Sequence, residues 1–545
     1  MGILLVLSFF LLMFGNSLMA MTHPDEVFYM QTAKEMIVHK SWLTPMIFDK
    51  PQFEKPILFY WLLIVAIKLF GLTAYAARFF PSLFGILGVG MTYWISWMLF
   101  ENKRLSFLSA LVLVSSFIYL ALSRACLTDM VFSIFVTISI AFFYFAYRYK
   151  QHKDTGIILG FVFSAIAVLT KGLLGLTFPA AAIFFYLFYR RDLSFFKCRA
   201  TILGIILFFV IALPWHLLMF QWYGKAFIDE YVVNDHLRRL VDAEHPKIST
   251  WYFYPGVMFG GVMPWSLFLI PALISIFKNI RQKVAEKDKL IFLLLWILAI
   301  FIFVQAAKSK LASYVFPVFP AMAILLGYYL NLGIKKAEEQ KPLKAFLICP
   351  ILMCLILLAV AVGGIYFAKK YLYIIGSMKP VYITASIAAI IAGLIVLFSH
   401  QQKYVRMIFV YALISVIVLA FPFFDKKKIE PWVSCKDVSQ KLATLDSSNS
   451  MVLVSKFYVR GVRYFTDKET AVIDIGGDGF FSPHPIPYFK NEGMVLEFLK
   501  KQPVTYAVVK DDNVDDLIRI THGGAFKVEQ LSGNAGKYIL KITKL

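Results

Sequence analysis

The sequence predicts a polytopic α-helical membrane protein that ends in a small α/β domain outside the bilayer. Of its 545 residues 60% are hydrophobic and only 16% are charged, against about 25% charged in soluble globular chains. Apolar blocks of roughly 18 residues or more, the length needed to cross the hydrocarbon core, recur as far as about residue 424. From there on, Asp, Gly, Ser and Lys rise, and short β-rich runs such as MVLVSKFYV, TAVIDI, TYAVVK and KYILKIT replace the long apolar ones.

Taken in order, the opening run over residues 1–21 is followed by small residues, as in a cleaved leader. It lacks a basic start and is long enough to span, so it reads as the first membrane helix. Further spans are expected near 77–99, 106–123, 129–147, 155–170, 173–189, 201–221, 256–277, 290–305, 314–333, 345–367, 380–399 and 405–424, thirteen in all. The block Ile57 to Phe70 is short and interrupted by Lys68, which suits an interfacial or re-entrant helix. Charge supports leaving it out. With the N-terminus inside, the loops ENKR, RYKQHKD, RRDLSFFKCR, Lys278 to Lys289, KKAEEQKPLK and HQQKYVR are all short, basic and cytoplasmic. The expected division is a membrane domain over 1–424, with outer loops 22–76 and 222–255, and an extracytoplasmic domain over 425–545. No internal repeat of fixed period is visible.

The net charge of +22, from 55 Lys and Arg against 33 Asp and Glu, has two explanations in such a chain: membrane orientation and anionic substrates. No stacking-rich basic module is present, so nucleic acid is excluded as a partner. Cys126, Cys198, Cys349, Cys354 and Cys435 are scattered without metal-ligand spacing or a disulfide framework.

Chemistry is expected on the outer face. Lys55, Lys171, Arg238, Arg239, Lys308 and Lys310 all return there against the positive-inside tendency. Each alone is explained by snorkelling to headgroups. Together they suggest a basin for phosphate. Asp25 and Glu26 open a helix directly after the first span, where they are either favourable to its N-terminal end, Asp25 as its cap, or reacting groups. Asp129, in a short outer turn, either pairs with Arg124, caps a helix, or takes part in the reaction. Two carboxylates can orient or deprotonate a nucleophile, or jointly hold a divalent cation. No other cofactor is expected. His236 is expected to be a hydrogen-bond partner or, less simply, a metal ligand. The aromatic strings TWYFYPG and FYW suit either an interfacial belt or sugar stacking.

The strings HPDEVFYMQTAKEMI, SWLTP and FEKPILFYW resemble the first outer loop of the bacterial lipid A 4-amino-4-deoxy-L-arabinose transferases and of the related protein O-mannosyltransferase-like glycosyltransferases. SRACLTDM, LTKGLLGLTFP, ALPWHLLMF, NDHLRRLV, TWYFYPGVMFGGVMPWSL and KSKLASYVFPVFPAMAILLG follow in matching order, so the resemblance covers roughly residues 20–335. It implies a C-type (GT-C) membrane glycosyltransferase that takes a sugar from a polyprenyl (undecaprenyl) phosphate carrier and transfers it outside the cytoplasmic membrane, which in such bacteria is the inner one. Carried over by position, Asp25 and Asp129 match the acids at the reacting centre, with Glu26 beside the first. Lys55 and either Arg238 or Arg239 match the groups that hold the carrier phosphate. Lys171, His236, Lys308, Lys310 and Tyr314 lie in matching strings as expected substrate contacts. Phe28 departs from the pattern, since relatives commonly carry arginine there.

A polyprenyl phosphate leaves only if its developing charge is stabilised, which cations in a dry site do better than water. With a lipid A phosphate as acceptor the nucleophile is already ionised, and Asp25 orients it or binds an amine. With a Ser or Thr hydroxyl, Asp25 must act as base. The rival readings are an oligosaccharide ligase or polymerase with a larger acceptor, and a flippase for a lipid-linked sugar. The flippase would place its acids within the spans and leave the soluble tail unexplained.

Overall fold

The computed structural model describes every residue except 245, 373–376, 425, 449, 478, 482 and 483. The chain separates into two compact units. One comprises Met1–Asn16, Arg78–Gly224 and His236–Asp425; the other comprises Ser17–Ala77, Lys225–Asp235 and Lys426–Leu545. The second grouping differs from the expected division at residue 424, because the first outer loop and a piece of the middle loop fold with the tail.

The first unit is helical. Each of the thirteen expected segments contains helix, the first only over Gly2–Met13. Among the described residues eight helices are long and apolar enough to cross a membrane, or up to ten if each of two bent pairs is one span. The bent pairs are Lys103–Val114 with Phe117–Ser123, turning by 65°, and Phe253–Gly261 with Ser266–Arg281, turning by 106°. At the first bend Ser115 and Ser116 turn their hydroxyls back to the carbonyls of Leu111 and Val112, a bond that competes with the helix ladder. The second bend falls at Pro264, which cannot continue the ladder. The two breaks satisfy each other: Phe117 N–H donates to Met263 O at 3.0 Å and Trp265 Nε1 to Ser115 Oγ at 2.9 Å. Gly2–Met13, Leu174–Arg190 and Tyr404–Ala420 are shorter apolar helices. The first stops well before residue 21 because Gly15 takes a positive φ of 77°. Gly327 marks a close helix approach, since a Cβ there would lie 2.7 Å from the Ser109 backbone nitrogen.

In the second unit the helix Asp25–Val38 is buried along almost its whole length. Leu58–Phe70, left out of the span count, is a 13-residue helix. Between these helices β1 (Met46–Ile47) and β2 (Lys50–Pro51) pair antiparallel through Phe48 and Asp49, both at positive φ. Glu35 pins this turn, accepting from Phe48 N–H at 3.1 Å and Asp49 N–H at 2.8 Å. The tail forms a six-stranded sheet from β3 (Val452–Ser455), β4 (Thr470–Ile473), β5 (Tyr488–Phe489), β6 (Val504–Val509), β7 (Phe526–Asn534) and β8 (Lys537–Lys544), in the order β5-β4-β3-β6-β8-β7. The first four in that order run parallel, and β8 and β7 add antiparallel. The β-rich runs in the sequence correspond to β3, β4, β6 and β8. β7 was not expected because its half-exposed residues end in LSGN. It closes onto β8 through Ala535 and Gly536, both at positive φ as a two-residue hairpin requires.

Candidate active site

In the second unit, Asp25 is the first residue of its helix. Pro24 is the cap and no side-chain capping bond is made, so the capping alternative for Asp25 falls away. The Asp25 side chain is 66% exposed, with Arg460 Nη1 at 3.9 Å. Glu26 is buried instead. Its carboxylate accepts from Thr22 N–H at 2.8 Å and Thr22 Oγ1 at 3.1 Å, closing the turn that enters the helix. Asp25 and Glu26 therefore sit in opposite settings.

Lys55 follows β2 in a stretch held from below by Gln52, whose amide donates to Tyr60 Oη at 2.8 Å while its oxygen accepts from Glu54 N–H. The Lys55 ammonium reaches both oxygens of Asp235, at 2.7 and 2.9 Å, and both side chains are nearly buried. Asp235 belongs to the π-helical run Ile228–Arg238 that follows the break at Gly224, where φ is 50°. Glu230 of the same run accepts from Phe53 N–H at 2.8 Å. Phe53 and Phe227 meet edge to face and Phe227 stacks on Tyr231. Burial, with the charges of Glu54 and Asp235 adding to it, pushes the Glu230 carboxyl up to about 7. One lysine thus stands among three acids, Glu54, Asp235 and Glu230. A phosphate arriving at Lys55 would compete with Asp235.

In the first unit, Asp129 is the second residue of the helix Thr128–Arg148 and is bonded to Lys171 at the end of Lys153–Lys171. Both side chains are 8% exposed. Arg124, the alternative partner, instead donates to the carbonyls of Leu11, Leu12 and Phe14. The Lys171 ammonium lies 4.7 Å from the Tyr314 ring centre. Tyr314 Oη in turn accepts from Arg239 Nη1 at 2.9 Å, and the same nitrogen donates to Glu244 at 2.6 Å. Asp129, Lys171, Tyr314, Arg239 and Glu244 therefore form one connected network. Arg238 is outside it, 42% exposed and 3.5 Å from Asp242. His236 is half-buried. Lys308 is exposed, with its backbone N–H on Leu240 O. Lys310 is buried, donates to Gln305 O and Ala307 O at the end of the helix Lys287–Ala306, and lies over the Tyr254 ring. Its charge serves that helix end.

Among the described residues, Glu35, His39 and Asp49 form the group that could hold a metal ion. It does not fit one. Arg463 Nη2 is already 2.5 Å from Asp49, His39 Nε2 is 2.9 Å from the same carboxylate, and Glu35 is committed to two backbone N–H groups. Neither Asp25 nor Asp129 belongs to it, so no step is routed through a metal. Sequence reasoning missed Glu54, Asp235, Glu230, Arg460 and His484. A signal existed for the first two, adjacent to Lys55 and His236. The others lie in stretches with no distinguishing pattern.

Residues 1–227 match the family of dolichyl-phosphate-mannose-protein mannosyltransferases. An undecaprenyl phosphate-alpha-4-amino-4-deoxy-L-arabinose arabinosyl transferase of Yersinia enterocolitica is 31% identical over 314 residues, 56% of this chain and 54% of that one. One from Proteus mirabilis is 28% identical over 353 residues, 64% of this chain and 62% of that one. The alignment thus spans little more than half the length of these relatives. The crystal structure of ArnT from Cupriavidus metallidurans bound to undecaprenyl phosphate superposes with a TM-score of 0.79 at 17% identity, covering 99% of this chain and 97% of that one, which shows a shared fold.

Proposed function

We propose that this chain, which resembles the membrane glycosyltransferases of the aminoarabinose-transferase and protein-mannosyltransferase type, moves a sugar from an undecaprenyl phosphate carrier to lipid A on the outer side of the inner membrane. The sugar is of the aminoarabinose kind, as in the names of the relatives. The bond from the anomeric carbon to the carrier phosphate breaks, and a bond from that carbon to an acceptor oxygen forms with inversion. Lys55 takes the charge of the departing phosphate, exchanging Asp235 for it, and works from a nearly buried position where its field is little screened. Asp25, exposed to substrate, orients an ionised acceptor phosphate or an amine. Arg239 is assigned as the phosphate-binding arginine in preference to Arg238, because Tyr314 and Glu244 fix its guanidinium.

The observation that carries this reading is Lys55 itself: a loop cation, nearly buried and bonded to both oxygens of Asp235, in a chain whose relatives are named for an undecaprenyl phosphate donor. Mass spectrometry of lipid A and membrane glycans from cells with and without the gene tests it. A pentosamine-sized mass lost from lipid A alone is expected. Loss from protein glycans instead would favour the mannosyltransferase-like alternative, and no change in either would overturn the assignment. The thirteen-span topology belongs to the same proposal. Reporters fused after residue 425 and within Lys278 to Lys289 should report opposite sides, and the same side for both would exclude it.

A further inference from the structure

Arg460 is the second residue of the helix Val459–Thr466 in the tail, and its side chain is 15% exposed. Nε and Nη2 both donate to His484 Nε2, at 3.1 and 2.7 Å. The Phe28 ring lies 4.6 Å from the guanidinium carbon and the Phe480 ring 5.9 Å. The remaining edge faces two carboxylates of the first outer loop: Nη1 is 3.9 Å from Asp25 and Nη2 is 4.0 Å from Glu54. Both distances are beyond hydrogen-bond reach but within strong coulombic range. Burial and the neighbouring guanidinium hold the His484 imidazole well below its ordinary range, so it is a neutral acceptor.

Arg463, one turn further along the same helix, behaves differently. It closes directly on Asp49 at 2.5 Å, as an arginine committed to an ion pair does. Arg460 is instead held back from its carboxylates by a histidine and an aromatic platform, with its plane fixed and its charge directed at Asp25. The Asp25 side chain is 66% exposed beside this guanidinium, so an incoming group can reach it from solvent within a cation's field.

We infer that Arg460 is a positioning residue of the reacting centre, orienting the Asp25 carboxylate, so that the tail is a working part of the transfer. This rests on the role proposed above for Asp25. It requires a planar cation at a fixed height over Phe28, which explains why the charge is supplied by arginine.

The test uses the full-length protein in detergent with an undecaprenyl-phosphate-linked aminoarabinose donor and lipid A. Arg460→Gln should lower kcat by about 10- to 100-fold, the scale of a misplaced reacting group, with donor KM within about twofold. Arg460→Lys should recover part of the loss, since it restores charge without the plane. In an Asp25→Asn background, Arg460→Gln should cost less than about threefold more, because a residue acting through Asp25 has nothing left to position. Unchanged kcat, a full multiplicative loss in the double variant, or a rise in KM alone would each overturn the inference. So would a lower yield of folded protein with normal turnover per molecule. If Arg460→Gln does not fold, the cycle with Arg460→Lys serves in its place. A wild-type protein without transfer would defeat the functional reading and this inference with it, whereas an active wild type with an indifferent Arg460→Gln defeats the inference alone.

Discussion

Asp25 and Asp129 are the same residue, each in the first turn of a helix and each expected at the reacting centre, yet their surroundings are opposed. Asp25 is 66% exposed, with a guanidinium just out of contact. Asp129 is 8% exposed and bonded to an equally buried lysine. A carboxylate largely open to solvent can be reached directly by a substrate group. A carboxylate that neutralises a buried ammonium must first give that ammonium up. Asp129 is bonded to Lys171, whose ammonium lies against the Tyr314 ring, and through Tyr314 it is tied to Arg239. Under the proposed function this contrast assigns Asp25 to the reaction and Asp129 to holding Lys171 in place.

The largest effect should come from Asp129→Asn. Removing one member of a buried pair leaves the other charge uncompensated, which typically costs about 3–5 kcal/mol. Unfolding of the purified protein in detergent should show a large drop in midpoint, and Asp129→Leu combined with Lys171→Met should recover much of it, since an apolar pair removes the stranded charge. A fall in rate with no loss of stability would break the distinction drawn above, because it would make Asp129 a reacting group after all.

Asp25→Asn should do the reverse. No capping bond is lost, so the melting midpoint should hardly move, while turnover falls by ~100-fold or more, the lower end of general acid–base contributions. That corresponds to about 2.7 kcal/mol of barrier at 1.36 kcal/mol per decade. Matched kinetics and melts on this one variant decide the point. Unfolding with normal turnover of the residual folded protein would make Asp25 structural.

Much of the difference between these acids was not legible in the sequence. Apolar run length located the helices, because that signal is local. The bends at Ser115 and Pro264 were not legible, since each is stabilised by a partner well over a hundred residues away. Asp129 could be read as an ionisable group at depth, but nothing local distinguishes Arg124 from Lys171 as its partner. Lys55 was legible from its FEKP setting, whereas Asp235, 180 residues later, is brought to it by folding alone. Phe28 was legible only as a departure from the relatives. Its use, as the ring under Arg460, depends on a residue 432 positions away that carries no motif.

The arginines allow a smaller contrast. Arg239 is 14% exposed and makes two close bonds, to Glu244 and Tyr314. Arg239→Ala should cost about 1.5–3 kcal/mol in stability, as loss of a charge-assisted bond does, and should weaken use of the donor. Arg238 is exposed, and its Asp242 contact is a surface pair of little worth. Arg238→Ala should stay within about 0.5 kcal/mol of wild type. Donor titrations on the two variants check this, and equal damage would remove the reason for preferring Arg239.

The smallest effect concerns acid. The Asp25 side of the comparison rests on a histidine, whereas the connected network around Asp129 contains none. Burial holds His484 neutral in the folded protein, while in the unfolded chain it takes up a proton near pH 6.5. Its contribution is therefore intact above pH 6.5 and falls as pH drops, because the unfolded state then binds a proton that the native state refuses. The loss is of order 1 kcal/mol one pH unit below. Glu230 acts with the opposite sign. Its carboxyl is raised from 4.5 to about 7, so between those values the native state holds a proton that the unfolded state has released, and stability rises as pH falls through that window. The two slopes partly cancel in wild type, so the informative quantity is a difference. His484→Gln keeps an oxygen acceptor for Arg460 but cannot titrate. Between pH 7.5 and 5.5 it should lose less stability than wild type, by roughly 1 kcal/mol. Its turnover should follow pH in this window as that of wild type does, since folded His484 stays neutral throughout. Asp129→Asn, which leaves His484 in place, should keep the wild-type dependence of turnover on pH. Parallel pH profiles of melting midpoint and kcat for the three proteins carry the test. Identical melting profiles for wild type and His484→Gln would show that His484 is not the neutral support of Arg460, and the asymmetry between the two acids would then rest on Lys171 alone.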